Sequence, residues 1–355
     1  MTKIKIGQVG LGRLGQVHAS NIVNHVNDAE LYAVASVVDK ELEYAKEELG
    51  VKNCYKSYSE MIENAELDAV VIVSPSGFHA VQITQALEKG LHVFSEKPIG
   101  LELENIRQVV DKINDNPDKV FQLGFMRRFD ESYLYAKEAV DSGSLGKITA
   151  MRCYGIDPSA GLDSFIQFAK NSASGGIFLD MSIHDIDLVR WFTGSEFKTV
   201  YSLGNNIAAP ELSECEELET GACLSELEDG TIAYFLAGRN AHHGYHVETE
   251  IIGTEGMIRI GNAPEKNLVT LYDKNGVVRP TSGHFPERFR FAFINELNTF
   301  VNSIKNKEKS SVTGVDGLKS TEVAIAMQES FETKNIITLW GETEWLEIFV
   351  MHALQ

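Results

Sequence analysis

The stretch Ile4–Gly15, IKIGQVGLGRLG, decides the fold that the sequence predicts. A short apolar strand is followed at once by the pattern GxGxxG and then by a helical stretch. In this context the glycines let the backbone approach a pyrophosphate at the positive end of the helix, although a tight turn without a ligand has the same pattern. The stretch therefore predicts a dinucleotide-binding loop. Its candidate contacts are Gly10, Gly12, Arg13, Leu14 and Gly15.

The rest of the chain predicts an α/β protein with two domains. Strands and helices alternate to about Phe125, which favours a doubly wound parallel sheet of the Rossmann type with helices on both faces. Beyond that point, short strand-like runs are joined by Asp-Gly, Glu-Gly and Asn-Gly, which are typical of antiparallel hairpins. We predict a Rossmann domain in residues 1–125 and a substrate-binding and oligomerisation α+β domain, with a large open mostly antiparallel sheet, in residues 126–339. Residues 340–355 form an extra tail of unknown role.

Composition favours small-molecule partners. The 355 residues are 43% hydrophobic and 23% charged, and their formal net charge is −19. Such a charge disfavours binding to nucleic acid and to anionic membranes. We see no signal-peptide pattern, no apolar run long enough to span a bilayer and no metal-finger spacing among the four cysteines. We therefore expect a cytoplasmic protein with reduced thiols.

The end of the second predicted strand, VASVVDK, bears on the choice between NAD and NADP. An acidic side chain in this region accepts hydrogen bonds from the adenosine ribose and repels a 2′-phosphate. Asp39 is the candidate, although it comes slightly later than the usual position, which Ser36 occupies. Arg13 in the glycine loop favours NADP, because its guanidinium attracts a phosphate. We expect NAD, since no basic residue follows the strand end until Lys40, and NADP or dual use is left open.

Two further runs are candidates for chemistry. HVFSEKPIG places Lys97 at the end of a buried strand, where an unpaired ammonium is costly and is therefore either paired or used. SGGIFLDMSIHDIDLVRWF places Asp180 and His184 on one face, if it is helical from about Leu179. A helix cap and an ordinary histidine explain that pair equally well. A metal site is disfavoured, because no third ligand follows at a recognisable spacing.

Other polar residues follow predicted strands and are candidates for contact with a polar substrate. GFMRRFD places Arg127 and Arg128 near the crevice outside the carboxyl ends of the parallel strands, although a salt bridge is the alternative, above all for Arg128. Asp157 in YGIDP suits a hydroxyl-rich ligand or simply forms a turn. His243 in RNAHHGYH either rims a pocket or lies in solvent.

Together these motifs resemble the Gfo/Idh/MocA oxidoreductase family. The resemblance rests on GLGRLG, on EKP after a Rossmann strand and on GGxxxDxxxHDID in the second domain, and it extends to about Leu339. Within the family, GFMRRFD, YGIDP and VVRP before GHFPERF are most similar to the inositol 2-dehydrogenases, which act on myo- or scyllo-inositol. The resemblance implies reversible NAD-dependent oxidation of a secondary hydroxyl of inositol to the inosose. The alternatives are a dehydrogenase of another polyol or aldose, and a non-catalytic nucleotide-sensing protein.

The resemblance also implies residue roles. Lys97 stabilises the charge that develops on the substrate oxygen, His184 is the general base, and Asp180 completes the catalytic set. A cis peptide bond is implied before Pro98, and a homotetramer is implied through the open sheet. Ser36 and His243 are departures, since relatives carry an acid and, in some cases, a tyrosine at these places. The other implied cofactor contacts are Ser74, Pro75, His79, Glu96 and Lys97, and the implied substrate contacts are Arg127, Asp157, His184 and His243.

Overall fold

The computed structural model describes residues 3–171, 174–215, 217–261, 266–267, 269–274 and 276–339, and the chain divides into two units. The first unit contains the chain up to Leu134 and the segment His284–Thr321, and the second contains Tyr135–Gly283 and begins again at Glu322. The division differs from the predicted one, because residues 126–134 and 284–321 lie with the first unit. The predicted tail, residues 340–355, lies outside the described residues. In the ranges given above, no helix has both the length and the apolar character needed to cross a membrane.

Helices and strands follow the predicted order of a parallel half and a mostly antiparallel half. The elements up to residue 123 are β1 (Ile4–Val9), α1 (Arg13–His25), β2 (Ala29–Ala35), α2 (Asp39–Glu47), β3 (Asn53–Tyr55), α3 (Tyr58–Asn64), β4 (Ala69–Ile72), α4 (His79–Glu88), β5 (His92–Ser95), α5 (Leu103–Asn114) and β6 (Phe121–Leu123). The elements that follow are α6 (Glu131–Asp141), β7 (Ile148–Pro158), α7 (Leu162–Ala169), α8 (Ile183–Thr193), β8 (Phe197–Asn205), β9 (Thr220–Leu227), β10 (Ile232–Ala241), β11 (His246–Gly253), β12 (Met257–Ile260), β13 (Leu271–Asp273), β14 (Gly276–Val278), α9 (Phe285–Arg288), α10 (Arg290–Asn306), α11 (Gly314–Thr333) and β15 (Ile337–Thr338).

The sheet of the first unit confirms the predicted Rossmann topology. Among the described residues its six strands have the order β3-β2-β1-β4-β5-β6, and every neighbouring pair is parallel. Strand order reverses between β1 and β4, so the glycine loop after β1 lies at the switch point where such sheets bind ligands. The central strands are buried on both faces, which explains apolar runs such as AVVI in β4.

Helix α10 explains why the segment 284–321 lies with the first unit. Its apolar side chains Leu297, Phe300 and Val301 join the core cluster that contains Phe94 of β5 and Ile22 of α1. All five side chains are at most 1% exposed. The amphipathic pattern of α10 predicts a buried face. It does not say which sheet the face covers, so the sequence alone does not assign the segment 284–321 to a unit.

The second unit is built on an open mixed sheet, as predicted. Among the described residues its seven strands have the order β12-β11-β7-β10-β9-β8-β15. Neighbours are antiparallel except β7 and β10. Along β10, Ala233, Phe235 and Ala237 alternate into the interior, whereas Ile232 is half exposed on the opposite face. One face is thus packed and the other open, which is the arrangement typical of antiparallel sheets.

The helix predicted from about Leu179 has two parts. Phe178–Ser182 form a π-helical turn, and α8 continues from Ile183. Single π turns inside helices occur frequently at functional sites. Helix α8 ends at Gly194, which adopts φ +67°, a conformation that glycine accepts more readily than other residues.

Candidate functional site

The glycine loop between β1 and α1 has the form of a phosphate cradle. Gly10 has φ +88°, and a Cβ atom there would lie 2.4 Å from the carbonyl oxygen of Val73. A Cβ atom on Gly15 would lie 2.3 Å from the carbonyl oxygen of Gly10. An added Cβ on Gly12, by contrast, meets no heavy atom of the described chain within 4 Å. Packing therefore requires glycine at two positions, and at the third it leaves open space above the start of α1, which fits a pyrophosphate.

A buried glutamine holds this loop in place. Gln8 Nε2 donates to the carbonyl oxygen of Gly10 at 2.9 Å and to that of Gly15 at 2.7 Å, and the residue is 0% exposed. The two bonds tie the loop carbonyl of Gly10 and the first turn of α1 to the same buried amide. Sequence reasoning missed Gln8, although its place as the one amide in the apolar run IKIGQVG is a usable signal.

The residues predicted to contact the adenosine side are spread over the surface near the loop. Leu14 is half-buried in the first turn of α1. Arg13 is exposed, and its guanidinium carbon lies 5.4 Å from the ring centroid of Phe285. Asp39 is largely exposed and forms an ion pair with Lys56. The predicted selecting carboxylate thus lies at the start of α2, just after β2, and is paired with a lysine.

The loop after β4 contains Ser74, Pro75 and His79. Ser74 Oγ donates to Gln82 Oε1 at 2.6 Å, and Pro75 is exposed. His79 is 1% exposed, and its Nδ1 and Nε2 each lie 2.7 Å from a carbonyl oxygen, of Pro98 and Ser74 respectively. Burial lowers the pKa of His79, while the hydrogen bonds to the two carbonyl oxygens oppose this shift. His79 connects this loop to the EKP turn, and its predicted contact with the cofactor stays a prediction.

Lys97 lies in the turn after β5, half-buried, and its peptide bond to Pro98 is cis, as the resemblance implies. The backbone N–H of Lys97 donates to Glu96 Oε2 at 3.3 Å. Glu96 Oε1 accepts from His18 Nε2 at 2.7 Å. Glu96, a predicted cofactor contact, is 5% exposed, so its carboxylate is committed to the interior and supports the turn that carries Lys97.

A second buried acid lies beside this pair. Glu296 is 0% exposed, its Oε1 lies 4.0 Å from His18 Nε2, and neither carboxyl oxygen has a hydrogen-bond partner in the described part of the chain. Burial, together with the charge on Glu96, raises the pKa of Glu296 well above its usual range. The sequence predicted no metal ligands, and these three residues are of ligand type, but 2.7 Å between His18 and Glu96 is a hydrogen-bond distance.

The two arginines after β6 have different surroundings. Arg128 Nη2 lies 2.9 Å from Asp316 Oδ1, and Nη1 donates to the carbonyl oxygen of Ser311 at 3.3 Å. For Arg128 the salt-bridge interpretation is therefore correct. Arg127 is 3% exposed, and its guanidinium carbon lies 5.8 Å from the ring centroid of Phe289. Arg128 is thus held by an ion pair, whereas the guanidinium of Arg127 lies over an aromatic ring.

In the second unit, Asp180 is oriented by an arginine that sequence reasoning missed. Arg239 Nη1 lies 2.9 Å from Asp180 Oδ2, and Nη2 lies 3.8 Å from Glu217 Oε2. The guanidinium carbon lies 3.4 Å from the ring centroid of Phe165. Ser174 Oγ donates to Glu217. Burial raises the pKa of Glu217, while that hydrogen bond and the charge of Arg239 oppose the shift.

Arg239 has a signal in the sequence that can be recognised. It continues the buried alternation of β10 after Phe235 and Ala237 and before Ala241, and it is 2% exposed. A cation at an inward position of a strand requires an acid close by. The signal predicts that an acid exists, but the sequence does not identify Asp180 and Glu217.

The other predicted residues of the second unit lie at strand and helix ends. His184 is half-buried in the first turn of α8, four residues after Asp180. Asp157 is half-buried at the end of β7. His243 is exposed, and its Nε2 lies 3.0 Å from His246 Nδ1. The structure thus joins His243 to a second histidine instead of leaving it isolated.

Within each unit the structure therefore brings together part of the predicted set. In the first unit His79 links the Ser74 loop to the EKP turn, Glu96 links that turn to His18 of α1, and Gln8 holds the glycine loop. In the second unit Asp180 and His184 lie on consecutive turns, with Arg239 beneath Asp180. The role of Asp39 as a ribose contact stays a prediction.

Two family models match the chain. The model described as oxidoreductase family, NAD-binding Rossmann fold, matches residues 4–125, and the model described as GFO/IDH/MocA C-terminal domain matches residues 133–259. These matches confirm the resemblance predicted from the motifs, the enzyme class and the choice of NAD.

Similar proteins cover nearly the whole chain. Scyllo-inositol dehydrogenase from Lactobacillus casei, with bound NAD(H) and scyllo-inositol, is 56% identical with a TM-score of 0.93, over 95% of this chain and 99% of that one. Myo-inositol 2-dehydrogenase from Lactobacillus plantarum is 44% identical with a TM-score of 0.94, over 96% of this chain and 100% of that one. Scyllo-inositol 2-dehydrogenase (NAD(+)) from Bacillus subtilis is 33% identical over 93% of this chain and 94% of its own length.

Proposed function

Because the chain belongs to the GFO/IDH/MocA oxidoreductase family, we propose that it is an NAD-dependent inositol dehydrogenase. It oxidises one secondary hydroxyl of the ring to a ketone, reversibly. The observation that carries this proposal is the 56% identity, over 95% of this chain, to an enzyme whose structure holds NAD(H) and scyllo-inositol. The lower identity of 44% to the myo-inositol enzyme favours scyllo-inositol as the better substrate.

The proposed chemistry divides between the cofactor and the side chains. NAD, when bound, accepts at C4 of its nicotinamide the hydride that leaves the carbon bearing the hydroxyl. His184 takes the hydroxyl proton on an imidazole nitrogen, so that the C–O bond becomes C=O as the proton and the hydride depart. Imidazole suits this role because it titrates near neutral pH. Its half-buried position at the start of α8 supports the assignment.

Lys97 stabilises the negative charge that develops on the reacting oxygen. A fixed cation acts most strongly where water is partly excluded, and Lys97 is half-buried. The turn that carries it is held from two sides, by Glu96 on its own backbone N–H and by His79 on the carbonyl oxygen of Pro98. Such support keeps the ammonium in one place without reorganisation during the reaction.

Asp180 is assigned to substrate orientation, and Arg239 is a positioning residue for it. The ion pair at 2.9 Å holds Asp180 Oδ2, and Asp180 lies in the π-helical turn before α8. Arg127, Asp157 and His243 are the proposed contacts to the other ring hydroxyls. Hydrogen-bond matching of this kind discriminates strongly between hydroxyl stereoisomers, because a mismatch leaves buried polar groups unpaired.

The open face of the second sheet supports self-association into a homotetramer. Tyr201, Leu203, Leu224, Ile232 and Ile252 lie on this face and are 38% to 55% exposed. A contiguous apolar face of this kind on a monomer is unusual and marks interaction sites. Light scattering after size exclusion tests the subunit count, and a monomer contradicts this part of the proposal. The cytoplasmic location stays a prediction.

The experiment that tests the function is a substrate panel. Purified protein is incubated with scyllo-inositol, myo-inositol, other inositol stereoisomers, glucose and galactose, each with NAD and with NADP, and reduced nicotinamide is followed by absorbance. We expect the highest kcat/KM for an inositol with NAD. Turnover of an aldose above every inositol contradicts the proposed substrate class. Tight NAD binding without turnover of any polyol contradicts the enzymatic assignment.

A further inference from the structure

The end of β2 lacks the acid that usually meets the adenosine ribose. That acid stands about 20 residues after the glycine loop, and Ser36 occupies the place directly after β2. Ser36 is 8% exposed, so its side chain is buried. A hydroxyl carries no charge, and it therefore cannot repel a 2′-phosphate. Another group has to provide the discrimination between the two dinucleotides.

Asp39, the acidic residue nearest to Ser36 in the sequence, contacts a lysine and not Ser36. It forms an ion pair with Lys56, and the two side chains are 80% and 55% exposed. Its charge is thus partly balanced by a neighbouring cation and screened by water.

Glu41 is brought to the end of β2 by Ser36 itself. Ser36 Oγ donates to Glu41 Oε2 at 2.5 Å and accepts from the backbone N–H of Val38 at 3.0 Å. The serine hydroxyl therefore has a fixed direction, and it orients a carboxylate from the first turn of α2. Glu41 is half-buried, so its charge is less screened than that of Asp39. Its second oxygen, Oε1, remains available to accept a further hydrogen bond.

We propose that Glu41, oriented by Ser36, is the residue that selects NAD over NADP. Its carboxylate accepts a hydrogen bond from the adenosine ribose and repels the phosphate that NADP carries on the 2′ oxygen. The inference rests on the binding of NAD by the glycine loop. Arg13, whose guanidinium carbon lies 5.4 Å from the ring centroid of Phe285, keeps its charge and favours NADP, so the proposal requires the effect of Glu41 to outweigh that of Arg13.

The matched pair Glu41→Gln and Asp39→Asn tests the inference. Each variant keeps the shape of its side chain and removes one charge, and the new amide oxygen of Glu41→Gln still accepts from Ser36. Binding of NADH and NADPH is measured by nicotinamide fluorescence, together with kcat/KM for both cofactors. We expect Glu41→Gln to shift the ratio of the two dissociation constants toward NADPH by about tenfold or more, whereas Asp39→Asn shifts it less than about twofold. Glu41→Lys, which reverses the charge, is expected to shift it further.

The outcomes separate this inference from the proposed function. If the ratio of the NADH and NADPH dissociation constants is unchanged in both Glu41 variants, Glu41 does not select the cofactor, whatever the substrate is. If the ratio changes only in Asp39→Asn, Asp39 is the selecting residue. The binding measurement needs no polyol, so it stands even if no inositol is oxidised. Thermal unfolding of each variant shows whether a loss of binding follows from a loss of fold. If Glu41→Gln does not fold, the ratio of the two dissociation constants measured with Glu41→Lys tests the role of Glu41.

Discussion

Arg239 Nη1 lies 2.9 Å from Asp180 Oδ2, on the packed face of the second sheet. The same guanidinium faces Glu217 and is 2% exposed. Arg239 is buried but the Asp180 side chain is 34% exposed, so removal of the guanidinium leaves one partly hydrated carboxylate and one buried one, and it costs less than the roughly 3–5 kcal/mol of a fully buried pair. We therefore predict that Arg239→Gln lowers the unfolding free energy by less than that amount and lowers kcat by about tenfold or more, since Asp180 loses its orientation.

Arg239→Lys is the conservative variant for this prediction. It keeps the charge but not the planar fork, so partial recovery of kcat is expected. Lys198→Gln is the control, because Lys198 pairs with Glu226 in the same unit and both side chains are about half exposed. Urea denaturation and steady-state kinetics give the two quantities. A normal kcat in folded Arg239→Gln contradicts the positioning role.

His184→Ala and Lys97→Met test the catalytic assignments. Loss of a general base costs about 10²-fold or more in kcat, and loss of a charge-stabilising group has a similar effect. KM and the dissociation constant of NADH are expected to change less, because both groups act on the transition state. His242→Ala is the control, since His242 is an exposed histidine of the same unit. Turnover of His184→Ala near that of the wild type rules out His184 as the base.

Glu296 gives the folded state a pH dependence whose sign follows from its burial. Its pKa is raised in the folded protein, because burial and the charge on Glu96 disfavour the anion. The folded state therefore holds a proton that the unfolded chain releases above its ordinary pKa. The stabilising effect is complete below that pKa and is lost as the pH rises toward the folded pKa, by at most about 1.4 kcal/mol per pH unit.

Glu296→Gln removes this proton linkage and keeps the side-chain size. We predict that its unfolding free energy falls less than that of the wild type as the pH rises from about 5 to about 8. Denaturant titrations at several pH values measure the difference. Glu63→Gln serves as control, since Glu63 is exposed on α3. Parallel pH profiles of wild type and Glu296→Gln would mean that Glu296 is already ionised in the folded state.

Replacing glycine by alanine in the glycine loop is expected to lower stability at Gly10 and cofactor binding at Gly12. A methyl on Gly10 collides with the carbonyl oxygen of Val73 and requires an unfavourable φ, so Gly10→Ala lowers the melting temperature without cofactor. A methyl on Gly12 meets open space, and Gly12→Ala leaves the melting temperature unchanged but weakens NADH binding by about tenfold or more. Calorimetry and fluorescence titration separate the two effects. Tight NADH binding by Gly12→Ala contradicts the phosphate-cradle interpretation.

Local patterns in the sequence were sufficient to predict the fold class and to locate the main motifs. GxGxxG, EKP and the pair Asp180 and His184 each lie within one turn or one helix, so short-range spacing is enough to predict their conformation. The alternation of strands and helices determined the parallel sheet in the same way, because each element is defined by its own periodicity.

The pairings that support the site required the tertiary structure. Arg239 reaches Asp180 from a different strand, His18 reaches Glu96 across 78 positions, and α10 completes the core of the first sheet from the far end of the chain. Asp39 and Glu41 look equivalent in the sequence, and hydrogen bonding to Lys56 and to Ser36 separates them. The physical reason is that a charge is stabilised by the nearest partner in space and by its burial, and neither quantity is encoded in local spacing.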